Sequence, residues 1–189
     1  TDSLVGSEMC IRDRCYPTID HRGPEFSELA LKCLSGIKTI FKTKNPVIIF
    51  PASGTGAWEA ALVNTLNDGD NVLMVETGHF ASLWNNMAQK LGLKVELLKT
   101  DWRQGLDPNE IEKRLRLDAD KKIKAVCIVH NETSTGCTSD VKAVREILDN
   151  LNHDALLMVD TISGLASINY EHDEWGVDIT ISGSQKGLM

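Results

Sequence analysis

No apolar run in this sequence approaches the ~20 residues that a bilayer-spanning helix requires, so a helical membrane span is excluded at the outset. Cysteine is scarce and badly spaced for chemistry. The five residues at positions 10, 15, 33, 127 and 137 form no Cys-x-x-Cys pair and have few histidines nearby. That pattern suits reduced thiols rather than a disulfide framework and offers no zinc site, so no metal is expected. Positive charge is outweighed: 20 Lys and Arg stand against 27 Asp and Glu, a net charge of -7, which argues against nucleic acid or an anionic membrane as partner. The local cluster Lys121, Lys122 and Lys124 reads as a solvated loop before a strand. Two nucleotide signatures are missing as well. The one Gly-rich loop has neither the Gly-x-Gly-x-x-Gly spacing of a dinucleotide fold nor a closing Gly-Lys-Ser/Thr. What remains is 42% hydrophobic and 25% charged, enough apolar content for one sizeable core.

Short apolar runs alternate with helical patterns along the chain. Leu29, Cys33, Ile37 and Phe41 share a helical stripe over 29–41, and an apolar strand is predicted over Val47–Phe50. A helix over Ala57–Leu66 closes at Asn67-Asp-Gly69, followed by a strand at Asn71–Val75. The run Ala81–Leu91 reads as a helix with Gly92 as its C-cap, and Val95–Leu98 as a strand. Asp107-Pro108 opens another helix with proline in its favoured first position. Strands at Ala125–His130, Ala155–Val159 and Val177–Ile181 and a helix at Val141–Leu151 complete the series. Strand–helix alternation with continuous apolar strands implies an α/β fold, a mainly parallel sheet with helices on both faces. Ligands in such sheets collect beyond the carboxyl ends of the strands.

The residues with chemical potential fall just past those ends. Asp160 follows one buried strand and Lys186 follows the next. Pyridoxal phosphate needs such a pair: a lysine to hold it as a Schiff base, and a carboxylate to keep its pyridine nitrogen protonated so that the ring can accept electrons. Singly, each has a plainer reading, a helix cap and a solvated loop lysine. The loop Pro51-Ala-Ser-Gly-Thr-Gly-Ala57 lies between a strand and a helix start, where backbone amides and the Ser53 and Thr55 hydroxyls could hold a phosphate. A capped helix with a tight turn would look the same in isolation, and the conjunction with Asp160 and Lys186 favours the phosphate. Phe80 could stack on a cofactor ring or simply fill the core. Ile162, two residues beyond Asp160, would point the same way in extended chain and close the other ring face. Thr133 offers a hydroxyl near the ring oxygen or Asp160, or is one residue of a Thr-rich turn. Lys186, once freed, is suited to shuttle a substrate α-proton.

From about Pro17 to Met189 the chain resembles the class V, fold-type I aminotransferases, most of all their serine–glyoxylate branch. The stretches that carry the resemblance are Ile19-Asp-His-Arg-Gly-Pro-Glu-Phe26, Phe50-Pro-Ala-Ser-Gly-Thr-Gly-Ala-Trp-Glu59, Cys127-Ile-Val-His-Asn-Glu-Thr-Ser-Thr-Gly136, Asp173-Glu-Trp-Gly-Val-Asp178 and Gly183-Ser-Gln-Lys186. It implies pyridoxal phosphate as cofactor, Lys186 as the Schiff-base lysine, Asp160 as the pyridinium partner, and Ser53, Gly54, Thr55 and Gln185 as phosphate ligands. It further implies Phe80 as the stacking ring and Thr133 as a hydroxyl ligand. The implied reaction takes L-serine and glyoxylate to hydroxypyruvate and glycine in a homodimer, cytoplasmic or, in a eukaryote, peroxisomal. An alanine–glyoxylate or other class V transaminase is the alternative within this chemistry. A cysteine desulfurase would place a histidine where Phe80 stands, and a non-catalytic module of the same fold would have no use for Asp160 and Lys186. Residues 1–14, with Leu4-Val-Gly-Ser-Glu-Met-Cys-Ile-Arg-Asp13, resemble a translated sequencing adapter and are set apart from the fold. The expectation for 15–189 is the N-terminal half of a large cofactor-binding domain, truncated at both ends, with the small C-terminal domain absent.

Overall fold

The computed structural model of the chain describes residues 18–49 and 51–188, so Cys10, Cys15, Phe50, Met189 and the whole adapter-like segment lie outside the described residues. Five strands form one sheet: β1 (Asn71–Glu76), β2 (Lys94–Lys99), β3 (Ile123–Val129), β4 (Leu156–Asp160) and β5 (Ile179–Ile181). Their order is β2-β1-β3-β4-β5, and every neighbouring pair is parallel. Five helices accompany them: α1 (Pro24–Phe41), α2 (Gly54–Thr65), α3 (His79–Lys90), α4 (Pro108–Leu117) and α5 (Val141–Asn150).

Period-two alternation on the strands divides the core. Val72, Met74, Ala125, Cys127, Val129 and Met158 face α2 and α3, where they meet Trp58, Leu62 and Trp84. Leu73, Val75, Val126, Ile128, Leu157 and Val159 face α1, α4 and α5, packing on Phe41, Ile111, Leu115, Val144 and Leu148. Each Val, Leu, Ile, Phe or Met side chain among these contributes roughly 1.5–3 kcal/mol when removed from water. Both sheet faces are covered, and for that reason the strands read as unbroken apolar runs rather than alternating ones. Cys127 belongs to this packing: burial pushes its thiol up to about 12, which keeps it protonated and unreactive.

Most predicted elements form within a few residues of their expected bounds. The strand expected over Val47–Phe50 does not. Val47–Ile49 pair with nothing among the described residues, and Ile48 and Ile49 are 81% and 63% exposed. An apolar β-branched run supplies propensity, but a strand exists only through a partner's ladder, and the sheet does not extend to this segment. α1 starts five residues early, because Gly23 provides its N-cap and Pro24 its preset first φ. α2 starts three residues early, at Gly54, so Gly54, Thr55 and Gly56 are its first turn rather than a loop ahead of it.

Candidate active site

The chain leaves β1 outward to β2, then returns past β1 to β3 and runs the other way to β5. The switch point therefore lies between the carboxyl ends of β1 and β3, where sheets of this kind form their ligand crevice. The loop after β3 spans that gap. Glu132, fully buried, accepts hydrogen bonds from the Phe80 and Ala81 amides on α3 and from the Ser134 amide and hydroxyl, while the Ser134 hydroxyl in turn accepts from the His79 amide. The three free amides of α3's first turn are thus satisfied from another strand, and Phe80 is held at the crevice, half-buried against the α2/α3 core. Gly78 makes this approach possible, since a Cβ there would overlap the Glu132 side chain and the Ser134 hydroxyl.

Asp160 ends β4 with its side chain on the same sheet face as Met158, toward α2 and α3. It is 3% exposed. The Ile162 amide donates to its Oδ1 at 2.7 Å, and the Trp58 indole N–H donates to its Oδ2 at 2.9 Å. Burial pushes its carboxyl up to about 6; the two donors oppose that rise, and the nearby Glu132 charge adds to it. No cation pairs with Asp160 among the described residues. The bond from Ile162 also corrects an expectation. The chain does not run extended past Asp160 but turns at once, an Asx-type turn closed by the carboxylate itself. Ile162 still reaches the site, because its side chain fills the space a Cβ on Gly54 would need, which seats β4's end directly against the first turn of α2.

That first turn has no side-chain cap. Ser53 is extended, its hydroxyl bonds nothing among the described residues, and neither does that of Thr55. The amides of Gly54, Thr55 and Gly56 find no acceptor among the described residues either, the first in-helix bond being Ala57 to the Ser53 carbonyl. Three free amides, two free hydroxyls and a helix dipole make an anion cradle. Lys186 is exposed on the turn after β5. Gly187 beside it lies so close to the Leu165 carbonyl and Ser167 hydroxyl that a Cβ would overlap both, which clamps the lysine's turn onto the turn following Asp160. Gln185 lies in the same turn, folded back on Gly183. Thr133 is exposed and makes no hydrogen bond to Asp160, whose oxygens each take one donor, from Ile162 and Trp58. The residues fit pyridoxal phosphate in charge and in kind: a buried carboxylate without a cation for the ring nitrogen, an uncapped helix start for the phosphate and an accessible amine for the aldehyde.

Sequence reasoning missed two residues here. In the sequence Trp58 is only part of a motif, yet its indole bonds Asp160; Glu132 carries no role there, yet it organises the switch point. A carboxylate inside the run His130-Asn-Glu-Thr-Ser, at a strand's end, was the available signal for Glu132. Nothing local signals Trp58. His130, next to these groups in sequence, turns to the opposite face, where it is buried against Tyr170 and Trp175 and its pKa is lowered by that burial.

The chain is 48% identical to a serine–glyoxylate aminotransferase of Methylorubrum extorquens over 171 residues, covering 90% of this chain and 42% of the relative. It is 45% identical to an L-aspartate–glyoxylate aminotransferase of Paracoccus denitrificans, covering 92% and 44%. Its fold superposes with a TM-score of 0.86 on the crystal structure of an alanine–glyoxylate aminotransferase from Nostoc sp., 30% identical, over 95% of this chain and 47% of the other. The chain thus spans a little under half the length of the relatives it matches. The sequence model of the family "Aminotransferase class-V" matches residues 15–189, beginning directly after the adapter-like segment. With that match, these relatives and this site, the chain belongs to the class-V aminotransferases, a family that works with pyridoxal phosphate.

Proposed function

We propose that the protein of which this chain is part transfers the amino group of L-serine to glyoxylate, giving hydroxypyruvate and glycine, as a homodimer. The observation that carries the reading is Asp160: a buried carboxylate that no cation among the described residues pairs, at the carboxyl end of β4, beside an uncapped helix start. Pyridoxal phosphate, when bound, supplies an aldehyde that condenses with amines and a protonated ring that takes up the electron pair left when a bond at the substrate's α-carbon breaks.

This chain's residues then have separable tasks. Ser53, Gly54, Thr55 and Gln185 bind the phosphate. Asp160 would keep a proton on the ring nitrogen by pairing its carboxylate with the cationic ring, because an ionised carboxylate without a cation is costly in that position. Phe80 and Ile162 would pack against the ring, and Thr133 would offer it a hydroxyl donor. Lys186 would hold the aldehyde through its amine and, as a free amine, would move a proton from the substrate α-carbon. The similarity to a serine–glyoxylate relative supports serine as donor. A comparable similarity to an aspartate–glyoxylate relative makes L-aspartate the second candidate.

The test uses the full-length protein loaded with pyridoxal phosphate. Borohydride should fix the cofactor to the peptide containing Lys186, and single-turnover rates should rank L-serine above L-aspartate and L-alanine. Absence of a borohydride adduct would remove the cofactor reading. An adduct with L-aspartate as the fastest donor would leave the chemistry standing and replace the substrate.

A further inference from the structure

Asp160 has two partners, and only one belongs to its own turn. The other, Trp58, comes from 102 positions earlier. Trp58 is 2% exposed and stacks on Trp84 of α3 with ring centroids 5.9 Å apart and planes at 14°. Trp84 is itself 1% exposed, so the indole has no room to swing. Its N–H therefore points at Asp160 as a fixed donor rather than one that happens to be near. Building on the cofactor reading above, we propose that Trp58 is a positioning residue for Asp160, fixing the carboxylate's orientation and holding it ionised while leaving acceptor capacity for a cationic ring nitrogen.

The geometry supports this in two ways. A carboxylate has about four acceptor positions, and one donor on each oxygen leaves one position free on each. The rotamer is then pinned without the acid being saturated. Second, Trp58 sits one helical turn beyond Thr55 on α2, a rise of ~4.5 Å. The helix that presents the anion cradle is thus the helix that bonds the acid, and neither can shift without the other. Donation to the carboxylate also lowers its proton affinity, so a shared proton stays with the ring nitrogen rather than passing to Asp160. Of the groups packed around Asp160, Glu132 from the loop after β3 is the charged one acting on it, in the opposite sense; α2 brings Trp58, β5 brings Ile181 and the following turn brings Ile162, none of which titrates.

The decisive variant is Trp58→Phe in the full-length protein, which keeps an aromatic ring for the stack and removes the N–H. The infrared signal of the protonated Asp160 carboxyl in the apoprotein, isolated by subtracting Asp160→Asn, should shift its midpoint upward by about one pH unit. The pH below which pyridoxal phosphate affinity falls should rise in parallel. Trp84→Phe, which touches the stack but not Asp160, should move neither. A Trp58→Phe protein that melts earlier but titrates Asp160 unchanged would overturn the proposal and leave Trp58 as packing. Should that variant not fold, the indole 15N–H resonances of the unaltered protein decide: one must titrate with the Asp160 midpoint and lose that response in Asp160→Asn, and a flat profile overturns the proposal. The infrared and indole readouts need no cofactor, so a protein that failed to bind pyridoxal phosphate would refute the function proposed above while those two readouts still decided the role of Trp58.

Discussion

Helices α2 and α5 flank the same sheet, yet their first turns are treated in opposite ways. At α5 the Asp140 side chain accepts from the Ala143 amide, and at α4 Asp107 does the same for Asn109. α3 goes further, with Glu132 and Ser134 reaching over from the next loop to satisfy its amides. α2 alone among these four starts on a serine whose hydroxyl caps nothing. The same contrast runs along the sheet edge: the Glu132 carboxylate is matched by four donors within the chain, while among the described residues Asp160 pairs with no cation and Lys186 with no anion. A helix capped by its own aspartate is built for stability. One left open beside a buried acid and an exposed amine is what the proposed ligand, with a negative end and a positive end, would require.

The contrast is broken most severely at Lys186. Lys186→Ala in the full-length protein should leave melting temperature unchanged, because the side chain is exposed and unpaired, and slow transamination by at least the ~10²–10⁴-fold that acid–base assistance alone is worth. Turnover near normal would return Lys186 to the class of ordinary surface lysines.

Asp160→Asn comes next, and its effects on stability and activity should oppose one another. The carboxyl titrates near 6 when folded against an ordinary value of 3.8, so its contribution is fully favourable below about pH 4 and is lost as pH rises through about 6. Above that, the ionised acid costs the cofactor-free protein up to about 3 kcal/mol. The amide substitution should therefore raise apoprotein stability at neutral pH and have little effect at pH about 4, while leaving the bound cofactor poorly reactive. Some of the gain is lost because an amide can accept from only one of the two donors, Ile162 or Trp58. Denaturant midpoints at the two pH values, with half-reaction rates on loaded protein, measure both sides. A stability that responds equally at the two pH values would mean the acid is not paying for its burial.

On the satisfied side, Gly78→Ala should cost about 1–3 kcal/mol, since the methyl group collides with a Glu132 held by four hydrogen bonds and cannot be absorbed by a simple rotation. Chemical denaturation reads the loss, and cofactor fluorescence should report a displaced Phe80. The smallest pair sharpens the comparison directly. Asp140→Ala should destabilise by ~1 kcal/mol and leave cofactor affinity alone, whereas Ser53→Ala should weaken cofactor binding with stability nearly constant. Reversed outcomes would mean that the α2 start is a plain helix end.

Much of this was legible before any coordinates. The parallel α/β fold followed from unbroken apolar strands such as that expected over Ala125–His130 between helical stripes, and Asp107-Pro108 marked α4's start to the residue. Asp160 and Lys186 were identifiable because each follows a buried strand, and in a parallel sheet all strand ends of one sense share an edge. The Val47–Phe50 strand misled for a reason that local pattern cannot expose: strand formation depends on a neighbour elsewhere in the chain. Ile162 comes to lie against α2's first turn by a route its spacing from Asp160 does not give, a turn that the Asp160 side chain itself closes.

The sequence by itself determined the residue types, the periodicities and the order of acid before lysine, all of which are properties of short windows. Which groups would stand partnered and which open was decided only by tertiary structure. Trp58 meets Asp160 across 102 positions, and Glu132 meets Phe80 across 52, because α2 and α3 pack over the strand ends on which those carboxylates sit. Hydrogen bonding of a buried polar group is a matter of what is packed within about 3 Å of it, and that neighbourhood exists only once the helices have closed on the sheet.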